Sequence, residues 1–334
     1  MNCNLDIRGI FCNRTLNLNA IRAIGYDMDY TLVHYRMRSW EQRAYNYIKE
    51  GLRQAGWPLD ALVFGNSEWS YAEPIMSYAF DPFLPKSLKW RDLFDIIIMG
   101  ARKPDFFTFP MPVFEVVNAE GLLRQHRGPL SPGHVYLGAN AQLVEESLGL
   151  SGEELMYVGD HIFTDVNISK SISRWRTALV VRELEDEIAA VDQFKPRHAE
   201  LSALMESKEQ MASQYCSLRL AALRSQQGYE TRDGATIQEL QRKMSELHGR
   251  IVEIDSRIAP IAQASGQLLN KNWGLLMRTG IDKSHLARQI ESNADIYTAR
   301  VSNFLHVTPF AFLRSSRGSL PHDPECLPAV YSQK

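Results

Sequence analysis

Short runs of apolar residues alternate with polar segments through the first part of this chain. Each run has the length and composition of a strand that is buried on both faces of a parallel sheet. Helical patterns fall between the runs, and this βαβ alternation predicts an α/β fold with a doubly wound parallel sheet. The predicted elements are strands over 21–27, 61–64, 93–99, 155–158 and 178–181, a helix over 40–56, and a hairpin over 113–125 with its turn at 118–121.

The pattern changes in the C-terminal part of the chain, where long runs of helix-forming residues replace the strand pattern. Residues 199–227 and 236–267 predict two long helices, and a further helix is predicted over 283–300. Apolar side chains recur every three or four residues along the second long run, and this stripe predicts an antiparallel helical hairpin. We therefore divide the chain into a catalytic core, residues 1–195, and a C-terminal helical appendage, residues 196–334.

Composition and charge exclude several classes of protein. The formal net charge is -2, so the chain lacks the excess of positive charge that favours binding to nucleic acid or to an anionic membrane. No run approaches the roughly 20 apolar residues of a membrane span, and residues 1–14 lack the apolar core of a secretion signal. The cysteines do not have the spacing of a disulfide framework or a zinc site. We therefore expect a cytoplasmic protein with no nucleic-acid or membrane partner, whose reduced thiols are Cys3, Cys12, Cys216 and Cys326.

Two acids, Asp27 and Asp29, directly follow the first predicted strand. Ligands of open α/β sheets bind at the carboxyl ends of the strands. Two carboxylates one residue apart can divide the work of phosphoryl transfer. One can attack phosphorus and ligate a hard cation, while the other exchanges a proton with the leaving oxygen and then with water. A turn that caps the next helix is the alternative interpretation, and the acid pair alone does not decide between the two.

A second acidic motif favours the chemical interpretation. Asp160 follows the predicted strand 155–158 and adds the oxygen ligand that octahedral Mg²⁺ requires. Asp165, five residues on, could hold a metal-bound water or orient Lys103. Lys103 follows the predicted strand 93–99 and offers a point charge to a phosphoryl oxygen, although a surface lysine before a proline is the alternative there. Together these residues predict a phosphoryl-transfer site with Mg²⁺ on the strand ends.

The order of these motifs resembles the haloacid-dehalogenase superfamily of phosphohydrolases and, more narrowly, the cytosolic purine 5'-nucleotidases, which act on IMP and GMP. The resemblance implies a Rossmann-like core and a nucleotide substrate, and it runs from just before Asp27 to about Pro321. The segments that carry it are 26–32, 101–104, 159–165 and Trp175-Arg176-Thr177.

By this resemblance, Asp27 is the nucleophile and Asp29 is the proton donor. The resemblance also implies that Mg²⁺ is held by Asp27, Asp160 and the backbone carbonyl of Asp29. The phosphate-binding set that it implies, with Asp165 beside the lysine, is Asn66, Ser67, Lys103 and Asp165.

The chain departs from this family between its first two motifs. The family carries a large cap there, which provides most contacts to the purine and the ribose, whereas here the motifs are only 39 positions apart. The helix predicted over 40–56 occupies that length, so we expect no cap. Gly65 stands where the family has a threonine. Ser292 and Asn293 stand where regulated members have arginine and tyrosine for an effector, which argues against that regulation.

Three functional hypotheses follow. The first is a phosphohydrolase of nucleoside 5'-monophosphates, with IMP and GMP as the substrates that the resemblance implies. The second is a capless phosphatase of sugar phosphates or protein-borne phosphate. The third is an inactive, cap-deleted paralogue that binds partners through its helical arm, which is also a candidate surface for homo-oligomers. Hydrolysis of IMP beside a generic aryl phosphate discriminates among the three.

Overall fold

The computed structural model of this chain describes residues 9–35, 68–229, 234–280 and 282–315. The described residues form two compact units. One contains residues up to 182 together with 289–315, and the other contains residues 183–288. The predicted helix over 40–56 and the predicted strand over 61–64 lie outside the described residues. The domain boundary at residue 195 stays a prediction.

Strands and α-helices are numbered in chain order within the described residues. The strands are β1 Ile10–Cys12, β2 Leu16–Asn17, β3 Ala23–Tyr26, β4 Ile96–Met99, β5 Val113–Val116, β6 Leu123–Gln125, β7 His134–Gly138, β8 Leu155–Gly159, β9 Arg176–Val180, β10 Arg278–Thr279, β11 Asp282–Lys283, β12 Ile296–Thr298 and β13 Phe312–Leu313. The helices are α1 Trp69–Phe80, α2 Asp105–Thr108, α3 Ala141–Leu148, α4 Ile168–Ser173, α5 Leu184–Gln226, α6 Ile237–Gly266 and α7 His285–Asn293.

A five-stranded sheet in the order β1–β12–β9–β8–β3 contains both strands that are followed by acids, β3 before Asp27 and β8 before Asp160. The strands β12, β9, β8 and β3 are parallel to their neighbours, and β1 closes one edge in the antiparallel sense. Every residue of β8 is buried, as its apolar run predicted. The parallel strands predicted over 21–27, 155–158 and 178–181 are therefore confirmed, with small shifts at their ends.

A second sheet, in the order β4–β7–β5–β6, contains the strand that precedes Lys103. β4 is parallel to β7, and the other two pairings are antiparallel. The predicted hairpin is confirmed as β5 and β6, with the backbone N–H of Gly121 donating to the carbonyl of Asn118 at 3.2 Å. The two sheets share a hydrophobic core that contains Tyr136 of β7 and Tyr157 of β8, and in it the ring of Phe107 from α2 meets the rings of Tyr157 and Trp175 edge-on. The predicted mixed α/β fold with parallel strands is thereby confirmed.

The helix predicted over 283–300 is wrong beyond Asn293, where α7 ends and the chain turns into β12. Asp295, which is buried between the two, determines this change. Its carboxylate accepts hydrogen bonds from the Arg176 Nε at 2.9 Å, from the Thr177 backbone N–H at 3.2 Å and from the Lys170 ammonium. A helix that continued through Asp295 would break these bonds. The three-residue run of β12 is too short to predict a strand from periodicity.

The helices α5 and α6 of the other unit pack as an antiparallel hairpin, as the apolar stripe predicted. Lys208 pairs with Asp255 at 2.6 Å, and the rings of Tyr215 and His248 lie 6.2 Å apart, so the contacts run in opposite directions along the two helices. α5 begins well before its predicted start, at Leu184. None of the helices in the described ranges combines the length and apolar character that crossing a membrane requires.

We expect Asp295→Ala to lower the free energy of unfolding by about 3 kcal/mol, because it leaves the partly buried cations of Lys170 and Arg176 without their shared acid. The matched control is Glu153→Ala, since Glu153 lies 3.9 Å from the same Arg176 but is 81% exposed. This control should leave the unfolding midpoint nearly unchanged. Urea denaturation of both variants measures the difference, and equal effects would contradict the assignment.

Candidate active site

The ends of β3 and β8 bring the first two acids of the site together. These strands are parallel and in register, with Tyr26 opposite Val158. The backbone N–H of Asp27 continues the ladder and donates to the carbonyl of Val158 at 2.8 Å. Asp160 follows β8 directly, so both acids leave the sheet at the same edge, as the sequence predicted.

A tight turn follows Asp27 and carries the second acid of the first motif. The backbone N–H groups of Leu32 and Val33 both donate to the carbonyl of Met28 at 3.0 Å. Tyr30 sits in the left-handed region with φ of 59°, which is uncommon for a residue with a side chain and is often found near functional sites. Thr31 is buried, and its hydroxyl donates to Asp160 at 3.5 Å. The turn thus connects the first motif to the second.

Lys103 lies between two acids that come from different motifs. Its ammonium nitrogen is 2.6 Å from Oδ1 of Asp27 and 2.6 Å from Oδ1 of Asp165. Burial acts to lower the pKa of Lys103, but the neighbouring Tyr157, Asp165 and Asp27 outweigh burial and raise it. The ammonium therefore stays charged at neutral pH, as the role of a phosphate-binding point charge requires.

Asp165 is fully buried and is held at both carboxylate oxygens. Oδ1 receives the Lys103 ammonium, and Oδ2 accepts the backbone N–H of His161 at 3.0 Å. The imidazole Nδ1 of His161 in turn accepts the backbone N–H groups of Phe163 and Thr164 and caps the helical segment that contains Asp165. Gly159 lies so close that a Cβ there would stand 2.5 Å from the Cβ and Oδ2 of Asp165. Only glycine lets the strand approach Asp165 in this way.

Three carboxylates, those of Asp27, Asp160 and Asp165, form a group whose ligand oxygens lie within 4.8 Å of one another. Burial, followed by the nearby charges of Asp27 and Asp165, raises the pKa of Asp160 to about 7. Burial is also the main cause that raises the pKa of Asp27, and Lys103 partly offsets it. When these three acids are ionised, the positive charge of Lys103 does not balance their negative charges. The remaining negative charge and the carboxylate oxygens suit a hard cation.

The Asp29 side chain is held by residues outside this carboxylate group. Its Oδ1 accepts a hydrogen bond from the Tyr35 hydroxyl at 2.5 Å, and the Tyr71 hydroxyl donates to that of Tyr35 at 3.2 Å. Burial, together with the hydrogen bond to Asp29, raises the pKa of Tyr35, so its hydroxyl stays protonated at neutral pH. Asn66 and Ser67, the predicted phosphate-binding pair, lie outside the described residues.

Sequence reasoning missed several residues of this site, among them Thr31, Tyr35, Tyr71 and Gly159. Thr31 and Gly159 are part of the two motifs, where their position beside the acids was a usable signal. The tyrosines had no such signal, since Tyr35 and Tyr71 meet only through the fold. The catalytic, phosphate-binding and metal-binding roles given to the acids and to Lys103 stay predictions.

We expect Gly159→Ala to displace Asp165 and to lower the free energy of unfolding by about 1–3 kcal/mol, because the new methyl group overlaps the buried carboxylate. The control is Gly249→Ala in α6, where a Cβ would meet nothing within 4 Å. Alanine should stabilise that helix position by roughly 0.5–1 kcal/mol. Chemical denaturation of both variants tests the contrast. An unchanged stability of Gly159→Ala would show that the strand has room to move.

Two relatives are similar to this chain in sequence. The chain is 26% identical over 262 residues to a 5'-nucleotidase domain-containing protein of Dictyostelium discoideum, covering 77% of this chain and 40% of that protein. It is 26% identical over 259 residues to 5'-nucleotidase domain-containing protein 2 of Rattus norvegicus, covering 77% of this chain and 41% of that protein. The chain therefore spans about two fifths of the length of these relatives.

A family model matches nearly the whole chain. It is described as the 5' nucleotidase family, and it matches in two segments, residues 10–65 and 59–325. The match includes both acidic motifs, Lys103 and the strand β12 that completes the five-stranded sheet. The chain belongs to the 5' nucleotidase family.

Proposed function

We propose that this chain hydrolyses nucleoside 5'-monophosphates in a Mg²⁺-dependent reaction that passes through a phosphoryl group on Asp27. The observation that carries the proposal is the position of Lys103, whose ammonium is 2.6 Å from both Asp27 and Asp165 beside a third acid, Asp160. A nucleophile, a cation for phosphate oxygens and a set of oxygen ligands thus lie within one small volume. Membership of the 5' nucleotidase family supports the substrate class.

The donor set fits Mg²⁺ better than a softer metal. The ligand atoms are carboxylate oxygens, and within the described residues no histidine or cysteine belongs to the group. We assign the metal to the carboxylates of Asp27 and Asp160 and to the backbone carbonyl of Asp29, with Asp165 close by. When bound, the ion would neutralise charge on the phosphoryl oxygens and balance the excess of carboxylates.

The first step is attack by a carboxylate oxygen of Asp27 on phosphorus. A bond forms between that oxygen and phosphorus, the bond from phosphorus to the leaving oxygen breaks, and Asp29 gives its proton to that oxygen. Lys103 stabilises negative charge on the phosphoryl group during transfer. Asp165, held at both oxygens, keeps the lysine in place.

The second step returns the enzyme to its starting state. Asp29, now a carboxylate, accepts a proton from a water molecule that attacks the phosphorus of the aspartyl phosphate. The bond between phosphorus and the Asp27 oxygen breaks, which releases phosphate and restores both acids to their initial protonation. Asn66 and Ser67 complete the phosphate-binding set in this proposal.

We further propose that the fold is a doubly wound, haloacid-dehalogenase-like core without its cap. The parallel strands β12, β9, β8 and β3, with acids at their carboxyl ends, support this core. The two segments matched by the family model overlap at residues 59–65, around Gly65. An overlap of this kind is expected where an internal block of the family is absent, and it supports the loss of the cap there.

The net charge and the exposed apolar side chains support proposals about substrate, partners and location. With a net charge of -2, we propose a small-molecule nucleotide as substrate, no nucleic-acid or membrane partner, and action in the cytoplasm. We also propose that the hairpin α5–α6 mediates self-association. Its exposed apolar side chains, Leu220, Leu223 and Tyr229, support that role.

The proposal is tested by hydrolysis of IMP and p-nitrophenyl phosphate with and without Mg²⁺. We expect activity on both with Mg²⁺ and none in excess EDTA, with Mg²⁺ binding seen independently by calorimetry.

Asp27→Asn should lower kcat at least about a thousandfold, because an amide is not a competent nucleophile. Asp29→Asn should cost less on the aryl phosphate, whose leaving group needs little protonation. The exposed Asp105, changed to Asn, is the matched control and should retain full activity.

Other outcomes of this assay identify the competing functions. Activity on the aryl phosphate alone would indicate a capless phosphatase of other phosphomonoesters. Inactivity on both substrates would indicate a paralogue with a binding role. Full turnover in EDTA, or equal losses for Asp27→Asn and Asp29→Asn on the aryl phosphate, would overturn the assigned roles.

We expect base selectivity to be poor. Strong discrimination requires buried polar groups that the wrong base leaves unpaired, and the cap that supplies them in the family is the block proposed to be absent. IMP, GMP, AMP and pyrimidine monophosphates should therefore differ by less than about tenfold, or roughly 1.4 kcal/mol, in kcat/KM. A panel of nucleotides at saturating Mg²⁺ measures this. A hundredfold preference for IMP over AMP would show that residues outside the cap recognise the base.

A further inference from the structure

Two tyrosine hydroxyls form a hydrogen-bonded chain that ends at Asp29, the acid of the first motif that lies outside the group of three carboxylates. Tyr35 donates to Oδ1 of Asp29 at 2.5 Å, and Tyr71 donates to the hydroxyl of Tyr35 at 3.2 Å. We propose that Tyr35 is a positioning residue that fixes the Asp29 carboxylate for proton transfer, with Tyr71 holding Tyr35 in turn. This inference rests on the proposed function of Asp29 as the proton donor.

Asp29 needs such a constraint because it lies on the turn after β3 and is only partly buried. Proton transfer requires the carboxylate to be within hydrogen-bond reach of the leaving oxygen, and small displacements of a reacting group cost much of the rate. A side chain that rotates about its two torsions would spend little time there. The short hydrogen bond from Tyr35 to Oδ1 restrains this rotation.

Tyr35 is itself held by the turn that carries Asp29. The backbone N–H of Tyr30 donates to the carbonyl of Val33 at 2.8 Å, and this bond stabilises the turn between Asp29 and Tyr35. The ring of Tyr30 meets the ring of Tyr35 edge-on, with centroids 5.2 Å apart. Packing against the Tyr30 ring therefore helps to hold the hydroxyl of Tyr35 beside Asp29, in addition to the hydrogen bond itself.

Tyr71 brings a rigid element into contact with this turn. It lies in the first turn of α1, beside Trp69, which is buried and donates its indole N–H to the carbonyl of Ala119 at 3.2 Å. Arg91 stacks on the same indole at 4.5 Å from the ring centroid. α1 begins just after the predicted phosphate-binding pair Asn66 and Ser67, so the two tyrosines link the proton donor to the helix that follows that pair.

The test compares substrates that differ in their need for a proton. For Tyr35→Phe, we expect kcat/KM for IMP to fall about ten- to a hundredfold, because its alkoxide leaving group must be protonated as it departs. For p-nitrophenyl phosphate, whose leaving group is stable as an anion, the loss should stay within about threefold. Tyr71→Phe should show the same selectivity with a smaller loss. Thermal unfolding of each variant establishes that it is folded.

Tyr78→Phe is the matched control, because Tyr78 lies on the same helix and is 82% exposed. It should leave both activities unchanged. If wild-type protein hydrolyses both substrates but Tyr35→Phe loses them equally, or changes only KM, the positioning role is overturned while the proposed function stands. If wild-type protein hydrolyses neither substrate, the proposed function fails and this inference fails with it.

Discussion

The contact of one ammonium with two acids organises the whole site. Lys103 comes from the end of β4, Asp27 from the end of β3 and Asp165 from the segment after β8, so the pair of 2.6 Å contacts joins three elements and two sheets. Without that charge, several largely buried carboxylates would repel one another, and burial would favour their neutral forms. Because one partner of the lysine is held rigidly and the other is the proposed nucleophile, the same contact stabilises the fold and aligns the chemistry.

The parts of the site that could be predicted from sequence are those governed by strand geometry. Asp27 and Asp160 each follow an apolar run, and the carboxyl ends of neighbouring parallel strands meet at one edge, so local patterns were sufficient for these two acids. Lys103 also follows an apolar run, although its strand β4 belongs to the other sheet. The side chain of Asp29 illustrates the limit. The same rule placed it beside the others, but its carboxylate accepts a hydrogen bond from Tyr35 and does not belong to the group that Asp165 completes.

Contacts between distant segments could not be predicted in this way. Tyr35 and Tyr71 belong to no motif, and their hydroxyls meet only once the turn after β3 and the helix α1 are in place. The strand β12 is similar, since three residues carry almost no periodic signal and the buried Asp295 that ends the helix before it finds its partners in α4 and β9. In both cases the decisive term is a hydrogen bond or ion pair whose partner is far away in sequence.

The insertion of β12 between β1 and β9 has a consequence for how the chain folds. β12 follows β9 only after the entire hairpin α5–α6, and among the described strands β1 pairs with β12 alone in this sheet. During synthesis the edge of β9 that pairs with β12 therefore stays open until one of the last described segments leaves the ribosome, although the proposed catalytic residues have emerged long before. Such a late, non-local pairing slows folding and exposes an unpaired strand edge, which is a known route to aggregation. The open edge of β9 is thus an aggregation liability of the unfinished chain that pairing with β12 removes.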